Sequence, residues 1–175
     1  MQHNRQLTHA EHKSTGKKFP LSLIANDIKS PANVGSLFRL CDALGIKKLY
    51  LCGNSPVPPN SKLNKTSRST EKHVDYEYYD NALTLVNHLK SSGAFIISLE
   101  ITTSSLAIHS ADFKKVITTK KPVCLILGSE NSGVGEDLLL LSDITTHIPM
   151  LGYNSSMNVI SAASIACFEI TKKMK

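Results

Sequence analysis

Short apolar-rich runs recur along this chain, and each is followed by turn-forming residues and then by apolar residues at helical spacing. Leu21–Ala25, Lys47–Cys52, Ala94–Leu99, Pro122–Leu127 and Ile144–Ile148 are too short to be helices that bury a stripe, so they read as strands. Pro122–Leu127 is apolar at every position, the pattern of a strand covered on both faces. Val34, Leu37, Phe38, Cys41 and Leu44 mark one helical face, and Leu83, Val86 and Leu89 mark another. Glu136–Ser142 carries four leucines and reads as a short helix. Strand and helix alternate throughout, which predicts an α/β fold with a mostly parallel sheet flanked by helices. At 175 residues, with no internal repeat or linker, one domain is expected.

Local chemistry sets the expected boundaries. Asn26–Ala32 reads as a turn fixed by Pro31, with Asn33 as the N-cap of the next helix and Gly45 at its end. Gly53–Lys72, with Pro56, Pro58 and Pro59, reads as a long loop. His73–Tyr79 is expected to be a strand, and Asp80 to cap a helix over Asn81–Lys90 that Gly93 ends. Glu100–Lys121 reads as irregular, with a turn near Ala111–Val116. Pro149 cannot donate to a sheet and so ends the last strand. Gly152, Asn154, Ser155 and Ser156 then form a polar loop. A helix follows from near Met157, with the small residues Ser161, Ala162, Ala163, Ser164 and Ala166.

Composition narrows the function. There is no apolar run of about 18 residues, so no membrane span is expected. Residues 1–19 are polar and basic without an apolar centre, which reads as a solvated arm and not a secretory signal. Cys41, Cys52, Cys124 and Cys167 form no CxxC pair and sit among apolar residues. Free buried thiols in a reducing cytoplasm are expected, and no metal site. Charge is uneven. Residues 1–72 hold twelve Lys and Arg against four Asp and Glu, net +8, and residues 73–175 hold eight against ten, net −2. A basic half points to a polyanionic partner.

Three polar clusters carry the chemistry. The first is Asn33-x-Gly35-x-x-x-Arg39, at a helix start over the strand ends. By itself it reads as a capping Asn and a solvated Arg. The second is Gly128-x-Glu130-x-x-Gly133, between an apolar strand and a helix. It departs from the dinucleotide fingerprint because Glu130 stands where a second glycine belongs, and a carboxylate there repels a pyrophosphate. A cationic or hydroxyl-bearing ligand suits it better, which disfavours a dinucleotide-dependent enzyme. The third is Ile148-Pro149-Met150 with Ser156-Met157-Asn158-Val159.

Together and in this order, the three clusters resemble the signature motifs of the SpoU (TrmH-like) RNA ribose 2′-O-methyltransferases of the SPOUT superfamily. The resemblance runs from about Leu21 to the C-terminus. It implies an α/β domain over residues 20–175 with a C-terminal trefoil knot, S-adenosylmethionine as cofactor, and a homodimer with its active site at the subunit interface. It places Arg39 at the ribose hydroxyl, as base or as stabiliser of the forming alkoxide. A free guanidinium holds its proton at neutral pH, and the sequence leaves that choice open. Asn33, Glu130, Ser156 and Asn158 match the other catalytic positions. Leu99, Glu100, Gly128, Ile148, Met150 and Met157 match the cofactor positions. Lys62, Lys65, Arg68 and Lys72 fall in the loop that holds RNA. The chain departs from the family at Met157, where Leu is common, at Ile160, where a small residue is common, and at Ser69-Thr70, where a Gly-Ala pair is usual. The last departure bears on substrate choice. A tRNA is the expected substrate. Ribosomal RNA, or a non-catalytic RNA-binding role on the same scaffold, is the alternative.

Overall fold

The structure is a computed structural model that describes residues 4–113 and 121–174. Residues 4–8 and 10–18 are exposed, and the segment carries one 3-10 turn, His9–Glu11. The strands are β1 (Phe19–Asn26), β2 (Ile46–Cys52), β3 (Tyr76–Tyr79), β4 (Phe95–Leu99), β5 (Leu106–Ala107), β6 (Val123–Leu127) and β7 (Ile144–His147). The helices among the described residues are α1 (Pro31–Leu44), α2 (Ser61–Ser67), α3 (Ala82–Ser91), α4 (Glu136–Leu141) and α5 (Val159–Lys173). One seven-stranded sheet runs β3-β2-β1-β6-β4-β7-β5, and every neighbouring pair is parallel.

The sheet is covered on both faces, as a parallel sheet must be. Leu23 and Ala25 of β1 pack with Leu37, Phe38 and Cys41 of α1 and with Ala163, Ala166 and Cys167 of α5. Ile24 points the other way, into a second core with Leu85 and Val86 of α3, Ile126 of β6 and Leu138 of α4. All five residues of the central strand β6 are buried. The small residues of α5 divide between two uses: Ala163 and Ala166 are buried in the layer shared with α1, whereas Ser161 stays exposed. All four cysteines are free and buried, and burial pushes the Cys41, Cys52 and Cys124 thiols up to about 12.

Four local expectations are corrected. Ser30, not Asn33, caps α1: its hydroxyl accepts from the Asn33 N–H at 3.4 Å, and Pro31 takes the first turn. Proline suits that position because its fixed φ fits the helix and its missing N–H is not needed there. Asn33 is thereby freed for other partners. Asn81, not Asp80, caps α3 by accepting from Leu83 and Thr84. Glu100–Lys121 is not wholly irregular, since β5 pairs with β7; two residues are too few to leave a period in the sequence. The expected turn near Ala111–Val116 lies outside the described residues from position 114 onward.

The fourth correction is the largest. Gly53–Lys72 contains α2, capped by Asn60, which accepts from Lys62 and Leu63. Leu63 and Ser67 are the helix's buried residues, too few to show periodicity. The helix seats on α1 at Gly35. A Cβ there would lie 2.1 Å from Thr66 Oγ1 and 2.5 Å from the Leu63 carbonyl. Gly35→Ala is therefore expected to lever α2 off α1 and to cost about 1–3 kcal/mol, the usual range for overpacking. Denaturant unfolding measures this; an unchanged midpoint would mean that α2 does not depend on that contact.

Candidate active site

In a sheet whose strands all run one way, every carboxyl end lies on one edge. Here the chain leaves β1 toward β2 and β3 on one side, and its later strands β6, β4, β7 and β5 fill the other. The order reverses between β1 and β6, where a crevice opens between loops that part in opposite directions.

Asn33 stands at that crevice. Its Nδ2 donates to Glu130 Oε1 at 2.8 Å, and the Lys29 backbone N–H donates to Glu130 Oε2 at 3.3 Å. Asn158 arrives from the far end of the chain. Its Oδ1 accepts from the Ile160 N–H at 2.8 Å, capping α5, and its Nδ2 donates to Asn33 Oδ1 at 3.5 Å. Both ends of the Asn33 amide are therefore engaged. Partial burial pushes the Glu130 carboxyl up, but the bonds from Asn33 and from the Lys29 and Ser30 backbone outweigh it. The carboxyl titrates below its ordinary value, so it is a charged acceptor at neutral pH.

The turn that carries Glu130 closes on itself. Ser129 and Gly133 exchange backbone bonds at 3.1 and 3.0 Å. A Cβ on Gly128 would lie 2.1 Å from the Gly133 carbonyl carbon. Gly133, at φ +64°, has Glu100 Oε2 at 2.2 Å from where its Cβ would be. That same carboxylate oxygen accepts from the Val134 N–H at 2.9 Å, bracing the turn from the end of β4. These glycines are needed for the turn's own closure, a role that spacing did not reveal.

The other expected residues are placed as follows. Arg39 is exposed on α1, six residues past Asn33 or about 9 Å along the axis, and makes no hydrogen bond or ion pair with the described residues. Ser156 is exposed in the segment between β7 and α5. Leu99, Glu100, Gly128, Ile148, Met150 and Met157 are all half-buried, whereas Pro149 and Leu151, on either side of Met150, are exposed. Register sets the first of these side by side, with Leu99 opposite both Leu127 and Thr146. Half-buried apolar side chains at the ends of neighbouring strands suit an adenosine-like group, whose flat faces are apolar and whose edges are polar. Lys62 and Lys65 on α2, Arg68 at its C-terminus, and Lys72 in the 3-10 turn Thr70–Lys72 are all on the outside of the domain. Ser69, in the place of the usual glycine, has φ 69°, a conformation that glycine adopts without strain. Sequence reasoning missed Ser30 and Lys29, which support Asn33 and Glu130 through a cap and a backbone N–H.

A parallel α/β sheet of this kind takes its ligands at the reversal point of its strand order, where the charged Glu130 carboxylate stands. Residues 20–168 match the SpoU rRNA methylase family, and the chain belongs to that family. It is 29% identical over 153 residues to a tRNA (guanosine(18)-2′-O)-methyltransferase of Thermus thermophilus, covering 87% of this chain and 75% of that one. Its fold matches the Aquifex aeolicus TrmH/SpoU tRNA modifying enzyme with a TM-score of 0.78 and 25% identity, over 90% of this chain and 77% of that one. The SpoU methyltransferase AviRb of Streptomyces viridochromogenes, solved with its cofactor AdoMet, matches with a TM-score of 0.73 and 24% identity, over 89% of this chain and 58% of that one.

Because its carboxyl titrates lower in the folded chain, Glu130 contributes stability that is complete above pH 4.5 and fades as pH falls through the folded value. Glu130→Gln is expected to unfold more readily than the parent at neutral pH, with the gap narrowing as the pH falls below 4.5. Thermal melts across that range check this; a gap that does not change with pH would remove the charged-acceptor role.

Proposed function

We propose that this protein transfers a methyl group from S-adenosylmethionine to a ribose 2′-hydroxyl of RNA, with a tRNA as substrate. The observation that carries this reading is the junction of Asn33, Glu130 and Asn158 at the sheet's reversal point. It joins all three motifs in one place. Membership of a methylase family supplies the reaction class.

When bound, S-adenosylmethionine supplies a methyl group on a sulfonium that is already a good leaving group. Leu99, Glu100, Gly128, Ile148, Met150 and Met157 would hold it, by strand-end backbone and apolar side chains. The remaining work is positioning. Glu130 is charged and fixed by Asn33, so it accepts from a ribose hydroxyl and holds the sugar in one orientation. Ser156 and Asn158 shape the segment between β7 and α5, with Asn158 tying it to α1. Arg39 has no partner among the described residues and a long reach, so its guanidinium is available to the 2′-oxygen as negative charge develops there. Lys62, Lys65, Arg68 and Lys72 neutralise phosphates, and the seating of α2 on α1 keeps them beside Arg39's helix.

We assign residues 20–175 to one catalytic domain with a polar arm, residues 1–19, before it. The segment after β7 threads a loop to form a trefoil knot. Supporting this, Lys173 Nζ near the end of α5 donates to the carbonyls of His109 at 3.1 Å and Ala111 at 2.6 Å, so the helix end is gripped by the segment between β4 and β6. Two copies associate through the apolar side chains left outside: Leu151 and Tyr153 beside the site, and Ile165 and Phe168 one turn apart on α5. The free buried thiols suit the cytoplasm.

Arg39→Ala is expected to lower methyl transfer to tRNA by about 10²–10³-fold, the range for removing one donor to a developing oxyanion, with S-adenosylmethionine affinity unchanged by calorimetry. Full activity in that variant would remove Arg39 from the mechanism. No heat of cofactor binding in the parent would instead favour a non-catalytic RNA binder. Phe168→Glu is expected to convert a sedimenting dimer into single chains and to lose activity with it. A parent chain that sediments as a monomer while active would overturn the dimer.

A further inference from the structure

The far end of α5 is fastened to a segment that lies outside the three polar clusters. Lys173 stands in the last turn of the helix and is half-buried. Its Nζ donates to the Ala111 carbonyl at 2.6 Å, to the His109 carbonyl at 3.1 Å and to the Ile108 carbonyl at 3.4 Å. These are three acceptors for the three protons that an ammonium carries. The same Nζ lies 5.0 Å from the centre of the Phe113 ring, within reach of a cation–π attraction. Ile108, Ala111 and Phe113 are buried, so the ammonium is held against the core and not out in solvent.

A lysine at a helix C-terminus has no need of such a setting. The helix dipole favours a cation there while it stays in water. Lys172, one residue earlier, shows that ordinary case: it is exposed, with Glu169 at 3.9 Å. Fixing the long Lys173 side chain costs rotamer freedom, and three charge-assisted bonds offset that cost. The three carbonyl dipoles, aimed at one point, would repel one another without the cation between them.

The turn that Lys173 holds is joined in its own right to the end of β7. The Ile108 N–H donates to the His147 carbonyl at 2.8 Å. One residue earlier, Ala107 of β5 pairs with His147. The Ser105 hydroxyl lies 2.9 Å from His147 Nδ1. His147 is thus fixed by backbone and by side chain, both from residues 105–108. Ile148 follows it directly and Met150 two residues later, and both are among the positions that would hold S-adenosylmethionine. The strands here offer little on their own: β7 has four residues, and its neighbour β5, at the sheet edge, has two. The end of β7 therefore relies on whatever steadies the turn beyond β5.

We propose that Lys173 is a positioning residue for the cofactor pocket: its ammonium holds the turn Ile108–Ala111 against α5, that turn holds His147, and His147 sets where Ile148 and Met150 stand. Lys173 touches no ligand in this scheme and acts through backbone carbonyls alone. The proposal rests on the methyl-transfer reading for the identity of the ligand.

The test reads binding and amide exchange, not catalysis. Lys173→Met keeps the stem and removes the charge. Calorimetry with S-adenosylmethionine is expected to show about tenfold weaker binding, within the usual span for coupled sites. Hydrogen exchange in the ligand-free variant is expected to speed up about tenfold at the Ile108 amide, while the amides of β1 and β6 keep parental rates. Lys173→Arg can still donate to carbonyls and lie over Phe113, so it is expected to stay within about threefold of the parent. Lys172→Met removes the same charge one residue away and is expected to change neither readout. The unaltered protein supplies a second measurement should Lys173→Met fail to fold. Coupling is reciprocal, so S-adenosylmethionine added to the parent is expected to slow exchange at Ile108. Parental affinity in Lys173→Met, an equal loss in Lys172→Met, a ligand that leaves Ile108 exchange unchanged, or faster exchange spread evenly over the sheet would overturn the positioning role and leave the methyl-transfer reading standing. A parent that gives no heat with S-adenosylmethionine would overturn that reading, and the role with it.

Discussion

Asn33 bridges two partners that lie 97 and 125 residues away in the chain, and its two hydrogen bonds hold the site together. The bond to Glu130 fixes the turn after β6 against the first helix. The bond from Asn158 ties in the segment that leads to the last helix, while the same Asn158 side chain caps that helix. One amide thus couples helix capping, loop placement and the charge on a carboxylate. Loss of Asn33 would free both partners at once, whereas loss of Glu130 or Asn158 would free only one end of the Asn33 amide, which would then have to find solvent or another partner.

That junction can exist only because the sheet is parallel throughout and its order reverses between β1 and β6. A parallel strand must be reached by a crossover, so helices cover both faces and all the loops that matter emerge at one edge. The reversal separates the loops there. The same arrangement gives the turn after β6 two exposed sides, one toward β4 and β7 and one toward β1 and β2.

Much of this was legible in the residues. Runs such as Pro122–Leu127 are apolar because a central parallel strand is buried on both faces, and β6 is buried at all five positions. Gly45 marked the end of α1 because a left-handed residue is needed there, and its φ is 64°. Caps were harder. Ser30 and Asn33 are both good caps, and the winner was decided by Pro31, whose ring fits the first turn. The helix α2 was hidden by three preceding prolines and by its single buried leucine. The glycines of the 128–133 turn looked like room for a ligand, but their space is filled by the turn's own backbone and by the Glu100 carboxylate.

The sequence by itself determined the alternation of strands and helices, the two-sided burial of the sheet and the order of three polar clusters, since burial and capping are local demands that each segment meets with its own residues. Only the tertiary structure decided which clusters touch: that Glu130 meets Asn33, that Asn158 reaches both a helix cap and α1, and that Asp27 meets Asn54. Spacing along a chain carries no information about strand order, and strand order is what brings residues 33, 130 and 158 within hydrogen-bond distance.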